Sequence, residues 1–250
     1  MMPSYFKIGL LTCLLAYSTA AIAQLTPGAI AFVAYNTDGD DAFAWVALRR
    51  IPANTVIHFT DSSVSNGWFR WTEHLGDVVS AGPLSWVYTN TIPAGTVVRW
   101  TGGSPGAWSL GRASGARLNL SQDGDQLIAY EGVISRNTEL PYPWQGDPGG
   151  ATLLHALNFA NNGWDNLTGG ETETSFVPPG LSVNAGTAVH VSRMDNAYYD
   201  GVCGGSAPDL LAAIANPAHW KASNDVFAVM AWTGAEMFVV KPPGSVFAFR

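Results

Sequence analysis

The chain has 250 residues, with 19 acidic against 12 basic side chains and a formal net charge of −7. That balance argues against a nucleic-acid partner, which is held by Lys and Arg on phosphate, and against a general attraction to anionic lipid. Two cysteines exclude a disulfide-stapled miniprotein, while ten tryptophans, 27 glycines and only 12% charged residues favour a β-rich extracellular domain over a helical one.

Met1 to Lys7 form a short, weakly basic lead, and Ile8 to Ala20 an apolar stretch too short to span a bilayer comfortably. Ala21-Ile22-Ala23 before Gln24 is a small-x-small cleavage pattern. Together they predict a secretory signal peptide over 1–23 and a secreted or periplasmic mature chain. Cys13 is preceded by Thr12 rather than Gly, Ala or Ser and is followed by a long apolar run, which argues against lipid attachment. No later apolar run is long enough to span a membrane, so the mature chain is expected not to be membrane-spanning. Cys203 then stands alone, and residues 24–250 read as one domain with a core of its own.

Ile30 to Tyr35 reads as a buried first strand, Asn36 to Asp41 as a turn, and Ala42 to Leu48 as a second strand. A turn-and-strand phrase then occurs three times: Ile51 to Ile57, Ile92 to Val98 and Val183 to Val189. In each, the residue after Ala (Asn54, Gly95 or Gly186) takes positive φ at little cost, and a β-branched run follows. The alternation beyond them puts Ile57/Phe59, Val98/Trp100 and Val189/Val191 on a buried face. His58/Thr60, Arg99/Thr101 and His190/Ser192 fall on the polar face. Val56 to Thr60, Leu84 to Thr89, Val97 to Thr101, Leu153 to Phe159 and Val189 to Met194 are read as strands. Arg117–Leu120 and Gln126–Tyr130 read as a hairpin around Asp123-Gly124. Asp61 to Pro83, Gly102 to Gly115, 132–150 and Asn161 to Gly180 are read as loops. Ser206-Ala207-Pro208-Asp209 predicts a helix start, and Asn216-Pro217 a stop. Val226 to Trp232, Glu236 to Val240 and Val246 to Phe249 complete the chain as strands. The segments between the phrases do not repeat, so a solenoid is excluded. The expected fold is mostly β: a single antiparallel β-sandwich with one short C-terminal helix.

The order Ile30–Tyr35, Phe43–Leu48, Ile57–Thr60, Ala94-Gly95-Thr96-Val97-Val98 and Leu118 to Leu127 resembles the lamin-tail-like domains of bacterial secreted proteins. The blocks Ala31 to Asn36, Phe59-Thr60-Asp61, Asp123 to Tyr130 and Asp195 to Tyr198 resemble a recurrent bacterial extracellular module, over most of the mature chain. The resemblance implies an immunoglobulin-like sandwich and carries no catalytic residues. The chain departs from that module's "FTDNGW": here Phe59-Thr60-Asp61 continues as Ser62-Ser63, with Gly67-Trp68 displaced downstream.

Asn36, Asp38, Asp40 and Asp41 surround a Gly turn and form the most ligand-like cluster, because calcium takes six to eight oxygens. The competing reading is a hairpin turn stabilised by Asn, Asp and Gly. Asp61, Asp123 and Asp125 join the cluster if the fold brings those loops together. Gly102-Gly103-Ser104-Pro105-Gly106 matches a nucleophile elbow by letters, but Pro105 has no N–H for an oxyanion hole. The five histidines lack metal-ligand spacing. Glu73, Glu131, Glu139, Glu171, Glu173 and Glu236 are available for acid–base work, but their separation is invisible in sequence. Cys203 before a helix start reads as a small packed residue rather than a reactive thiol.

Trp45, Trp86, Trp100 and Trp232 stand in strand contexts and are expected in the core. Trp68, Trp71, Trp108, Trp144 and Trp164 fall in Gly/Pro/Asn-rich loops, either presented to a ligand or folded back over the sandwich ends. The functional expectation is a secreted, non-catalytic binding or surface-interaction module for a polysaccharide or cell-envelope component, with calcium as its one expected cofactor. The alternative is an exported hydrolase or lyase acting on polysaccharide through loop carboxylates.

Overall fold

The computed structural model describes residues 24–70, 83–103, 106–115, 117–137, 145–164, 174–224 and 238–242. The expected leader, the strands over 226–232 and 246–249, and both Trp71 and Trp144 lie outside them. In chain order the strands are β1 Ile30–Asn36, β2 Ala42–Ala47, β3 Val56–Thr60, β4 Val64–Ser65, β5 Trp68–Arg70, β6 Leu84–Val87, β7 Val97–Thr101 and β8 Ala107–Trp108. They continue as β9 Arg112–Ser114, β10 Gln126–Arg136, β11 Gln145–Asn158, β12 Ala188–His190, β13 Asn196–Tyr199, β14 Gly204–Ser206, β15 Trp220–Ser223 and β16 Val239–Lys241. The helix α1 covers Ala207–Ile214.

Two sheets carry the fold. The first has the order β15-β13-β1-β2-β7-β8, the second β4-β5-β11-β10-β3-β6-β9 with β12 beside β11. Pairing is antiparallel except for β11–β12 and the small β14–β16 pair. The described residues are therefore mostly β, with antiparallel sheets and one α-helix.

Period-two alternation sorts the side chains into layers. Phe32, Tyr35, Phe43, Trp45, Val98 and Trp100 of the first sheet meet Ile57, Phe59, Trp86, Leu127 and Leu157 of the second in the main core. Trp45 meets Trp86 edge-to-face at 5.1 Å, and Tyr35 stacks on Phe159 at 4.0 Å. On the outer side of the first sheet, Ala31, Val33, Ala44, Val46 and Leu48 are covered by Leu210, Leu211 and Ile214 of α1 and by Phe238. On the outer side of the second sheet, Val64, Phe69, Ile128, Tyr130 and Leu153 pack with Leu181. A core apolar on both sides of each sheet explains the continuous buried run of β1, where sequence shows no alternation.

All three phrases act as read. Asn54, Gly95 and Gly186 have φ of 62°, 91° and 70°. The inward residues Ile57/Phe59, Val98/Trp100 and Val189/Val191 all lie in the main core. Ser206 and Asp209 form a reciprocal capping box at the start of α1, and Asn216 caps a short 3-10 turn at the predicted stop.

Several expectations change: the segments read as the loops Asp61 to Pro83 and Gly102 to Gly115 carry β4 with β5 and β8 with β9. Residues 117–120 form no strand, for reasons set by three carboxylates described below. Residues 145–150 and 132–136, read as loop for their Pro and Gly, are the outer arms of the β10–β11 hairpin. Pro148 fits because the register shifts between Val133↔Gly150 and Ser135↔Asp147, so its missing N–H falls in a bulge. The strand read over Val189–Met194 is the shorter β12. The strands β13 and β15 lie outside the expected set because, at four residues each, they are too short to show a repeated alternation.

Candidate functional site

The β1–β2 turn is built by its first residue. The Asn36 side-chain amide donates to the carbonyl oxygens of Asp38 at 2.8 Å and Asp40 at 3.1 Å, closing the loop around Gly39. Thr37 ties the turn to the approach to β13, with both its N–H and its hydroxyl donating to the Asp195 carbonyl. Opposite, Gly102 N–H donates to the Asp41 carbonyl at 2.6 Å, and a Cβ at Gly102 would lie 2.4 Å from that oxygen. Only glycine permits this approach.

The carboxylates of the expected cluster separate into two groups. Asp38 accepts from Gln122 Nε2 at 3.0 Å and from Asn196 Nδ2 at 2.7 Å, while Asp40 is exposed beside Gly103. Asp41 turns the other way. Its Oδ2 accepts the Leu120 N–H at 2.9 Å, as Asp61 Oδ2 accepts Asn119 N–H at 2.8 Å and Asp125 Oδ2 accepts Ser121 N–H at 2.9 Å. Three consecutive main-chain donors are thus taken by three carboxylates from separate segments, which removes the ladder bonds a strand over 117–120 would need. The loops of Asp61 and Asp125 do meet that of Asp41, as a scaffold around the main chain. Asp123 pairs with Arg193. Among the described residues, no three His, Cys, Asp or Glu side chains come together as a metal-holding group.

Beside this turn lies a cavity of about 640 Å³. Asn36, Asp38 and Asp40 line one side; Arg99, Trp100 and Thr101 of β7, with Trp108 and Ser109, line the other. Acidic, basic, hydroxyl-bearing and aromatic residues therefore share one lining. Trp108 reaches it from within: its ring is 9% exposed and packs on Phe43, Phe59 and Trp100 at 5.5, 5.2 and 5.1 Å. It is a core residue, not an exposed platform.

Of the five expected tryptophans, the three among the described residues do not share one face. Trp68 is partly exposed on β5, near the edge of the second sheet opposite to β9, whereas Trp108 is on the edge strand of the first. Trp164 packs on the outer side of the second sheet, beside Leu181 and Phe176. Arg99, Asn196 and Gln122 are site residues that sequence reasoning passed over. The only available signal was the polar-face position of Arg99.

The titratable groups serve the scaffold. His58 Nδ1 lies 2.7 Å from Ser85 Oγ, and burial lowers its pKa. Ser85 Oγ also lies 3.0 Å from the Pro83 carbonyl, which competes with the imidazole for the one hydroxyl proton. His155 is fully buried, and that burial pushes its pKa down to about 3; Nδ1 accepts the Phe32 N–H at 3.4 Å across the sandwich. His190 and His219 bond the carbonyls of Ala160 and Ala213. Glu131 accepts the Leu25 N–H at 2.7 Å, while Glu73, Glu139, Glu171, Glu173 and Glu236 lie outside the described residues. Cys203 is half-buried, its thiol 3.5 Å from the Gly201 carbonyl and packed with the layer under α1. The elbow residues Ser104 and Pro105 also lie outside the described residues.

No protein-family profile, curated protein or solved structure matches the chain. None of the described helices is long and apolar enough to cross a membrane.

Proposed function

We propose that the protein is an exported, non-catalytic binding module that takes a polysaccharide segment in the cavity between the β1–β2 turn and the β7–β8 hairpin. The observation that carries this reading is the lining of that cavity. Asp38, Asp40, Arg99, Thr101 and Ser109 line it together, beside Trp100 and Trp108. Sugars present hydroxyls that both donate and accept, together with apolar C–H faces, and a wall of this mixture matches both. The carboxylates of Asp41, Asp61, Asp125 and Glu131 support a non-catalytic role, since each holds a main-chain N–H rather than facing a substrate. Export rests on residues 1–23.

Affinity electrophoresis through gels containing individual neutral and acidic polysaccharides tests the reading. One polysaccharide should retard the protein, and Arg99→Ala should abolish the retardation while Trp68→Ala leaves it. Migration unaffected by every polysaccharide, or retardation that survives Arg99→Ala, overturns it.

A further inference from the structure

Glu131 of β10 and Thr152 of β11 stand directly opposite each other in the hairpin register, so their side chains share one face. Together they hold the two residues that follow the expected cleavage point. Glu131 Oε2 accepts the Leu25 N–H at 2.7 Å, and Thr152 Oγ1 accepts from Gln24 Nε2 at 2.6 Å. Leu25 is buried in the main core, and Gly28 N–H donates to the Leu154 carbonyl at 2.7 Å. The chain therefore enters the sandwich along β11 at a fixed place.

Glu131 is half-buried, and among the described residues its one polar partner is the Leu25 N–H. A glutamine at this position would accept that N–H equally well, so the present contact leaves the charge unused. Cleavage between Ala23 and Gln24 turns an uncharged amide nitrogen into an α-ammonium. Consecutive main-chain nitrogens are about 3–4 Å apart, which puts that ammonium within about 6–7 Å of Glu131 Oε2. Rotation about the bonds freed at the new terminus closes the rest.

We infer that Glu131 and Thr152 form a receptor for the N-terminus that processing creates, Glu131 pairing with the α-ammonium of Gln24 while Thr152 holds its side-chain amide. The inference rests on the export reading and gives leader removal a structural consequence: the last step of maturation supplies the cation that Glu131 lacks.

The arrangement opposes a reaction characteristic of an N-terminal glutamine. There the neutral α-amine attacks its own Cδ. The N–Cδ bond forms, the Cδ–Nε2 bond breaks, and ammonia leaves with a proton from the amine, closing a lactam. A carboxylate beside the amine favours the ammonium, which has no lone pair to attack with, and lowers the neutral fraction about three- to tenfold at pH 7. The Thr152 bond ties down the amide that has to leave.

The experiment follows ammonia loss by intact mass at pH 7, in the mature chain 24–250 released from a fusion with Gln24 as its first residue, folded in buffer and unfolded in urea. The folded chain should cyclise at least about threefold more slowly than the unfolded one. Glu131→Gln and Thr152→Ala should each remove part of that protection, and Thr152→Ser should keep it, with near-UV circular dichroism reporting that each variant is folded. The chain beginning at Gln24 should also melt above one beginning at Ala21, and added salt should shrink the difference. If Glu131→Gln fails to fold, this comparison of chain lengths decides. Equal rates in the folded and unfolded chains, a folded Glu131→Gln that cyclises no faster than the parent, or equal melting of the two chain lengths overturns the inference. The mass of the protein exported under its own leader reads the cleavage point separately. A first residue other than Gln24 also overturns the inference, while polysaccharide retardation, read in separate gels, can stand or fall without it.

Discussion

The carboxylate of Asp61, just past the end of β3, accepts the main-chain N–H of Asn119 at 2.8 Å. Its neighbours Asp41 and Asp125 do the same for Leu120 and Ser121. The segment before β10 is therefore pinned by side chains instead of a partner strand, and the acidic end of the sandwich owes its shape to these bonds. Asp61 is only 4% exposed, so removing its carboxylate takes away a partly buried, charge-assisted bond to the Asn119 N–H. Asp61→Ala should cost about 1–3 kcal/mol in urea unfolding at pH 7. An unchanged midpoint would mean that water replaces the carboxylate freely.

Acid should weaken the fold through His155. Its folded pKa is near 3 because burial disfavours the charged ring, against an ordinary value of 6.5. The unfolded chain binds a proton below 6.5 and the folded chain does not. This contribution is full above 6.5 and is lost as pH falls toward 3, by roughly 1.4 kcal/mol per pH unit. Urea midpoints measured from pH 7 to pH 4 should show the fall. His155→Gln, which keeps an acceptor for the Phe32 N–H, should flatten part of it.

The three phrases differ in how tightly their turn residue is enclosed. A Cβ at Gly95 would lie 2.1 Å from the Phe238 carbonyl oxygen, at a φ of 91°. Gly95→Ala should lower stability by at least about 1–3 kcal/mol, since backbone strain adds to a clash with rigid main chain. Asn54 already carries a side chain at φ 62°, so Asn54→Gly should shift the melting temperature little. Equal effects at both positions would contradict the enclosure.

Trp108 and Trp68 offer a direct contrast between packing and display. Trp108→Ala removes a ring buried among Phe43, Phe59 and Trp100 and should cost about 3–5 kcal/mol. Trp68, partly exposed on a three-residue strand, should cost about 1 kcal/mol or less when cut to Ala. Chemical denaturation of the two variants reads the difference.

The strands β1, β2, β3 and β7, the inward faces beyond the three phrases and the capped helix were legible because local rules settle them. Period-two alternation, glycine after alanine and a Ser-x-x-Asp cap act within a few residues. The acidic turn was legible as a cluster, but not as two groups of different use. The loop tryptophans left two readings open, because a Gly-rich neighbourhood does not say whether a ring points out or in; Trp108 folds inward where β8 pairs with β7.

By itself the amino-acid sequence determined that the chain would be antiparallel and mostly β, and where its turns would fall. Each of those choices is decided by backbone preference and by which side chains leave water. Tertiary structure alone decided that Asn196 meets Asn36, that Asp41 turns to Leu120, and that Arg99, Asp38 and Asp40 line one cavity. Those meetings join residues far apart along the chain. They depend on strand order and register, which no local pattern of residues encodes.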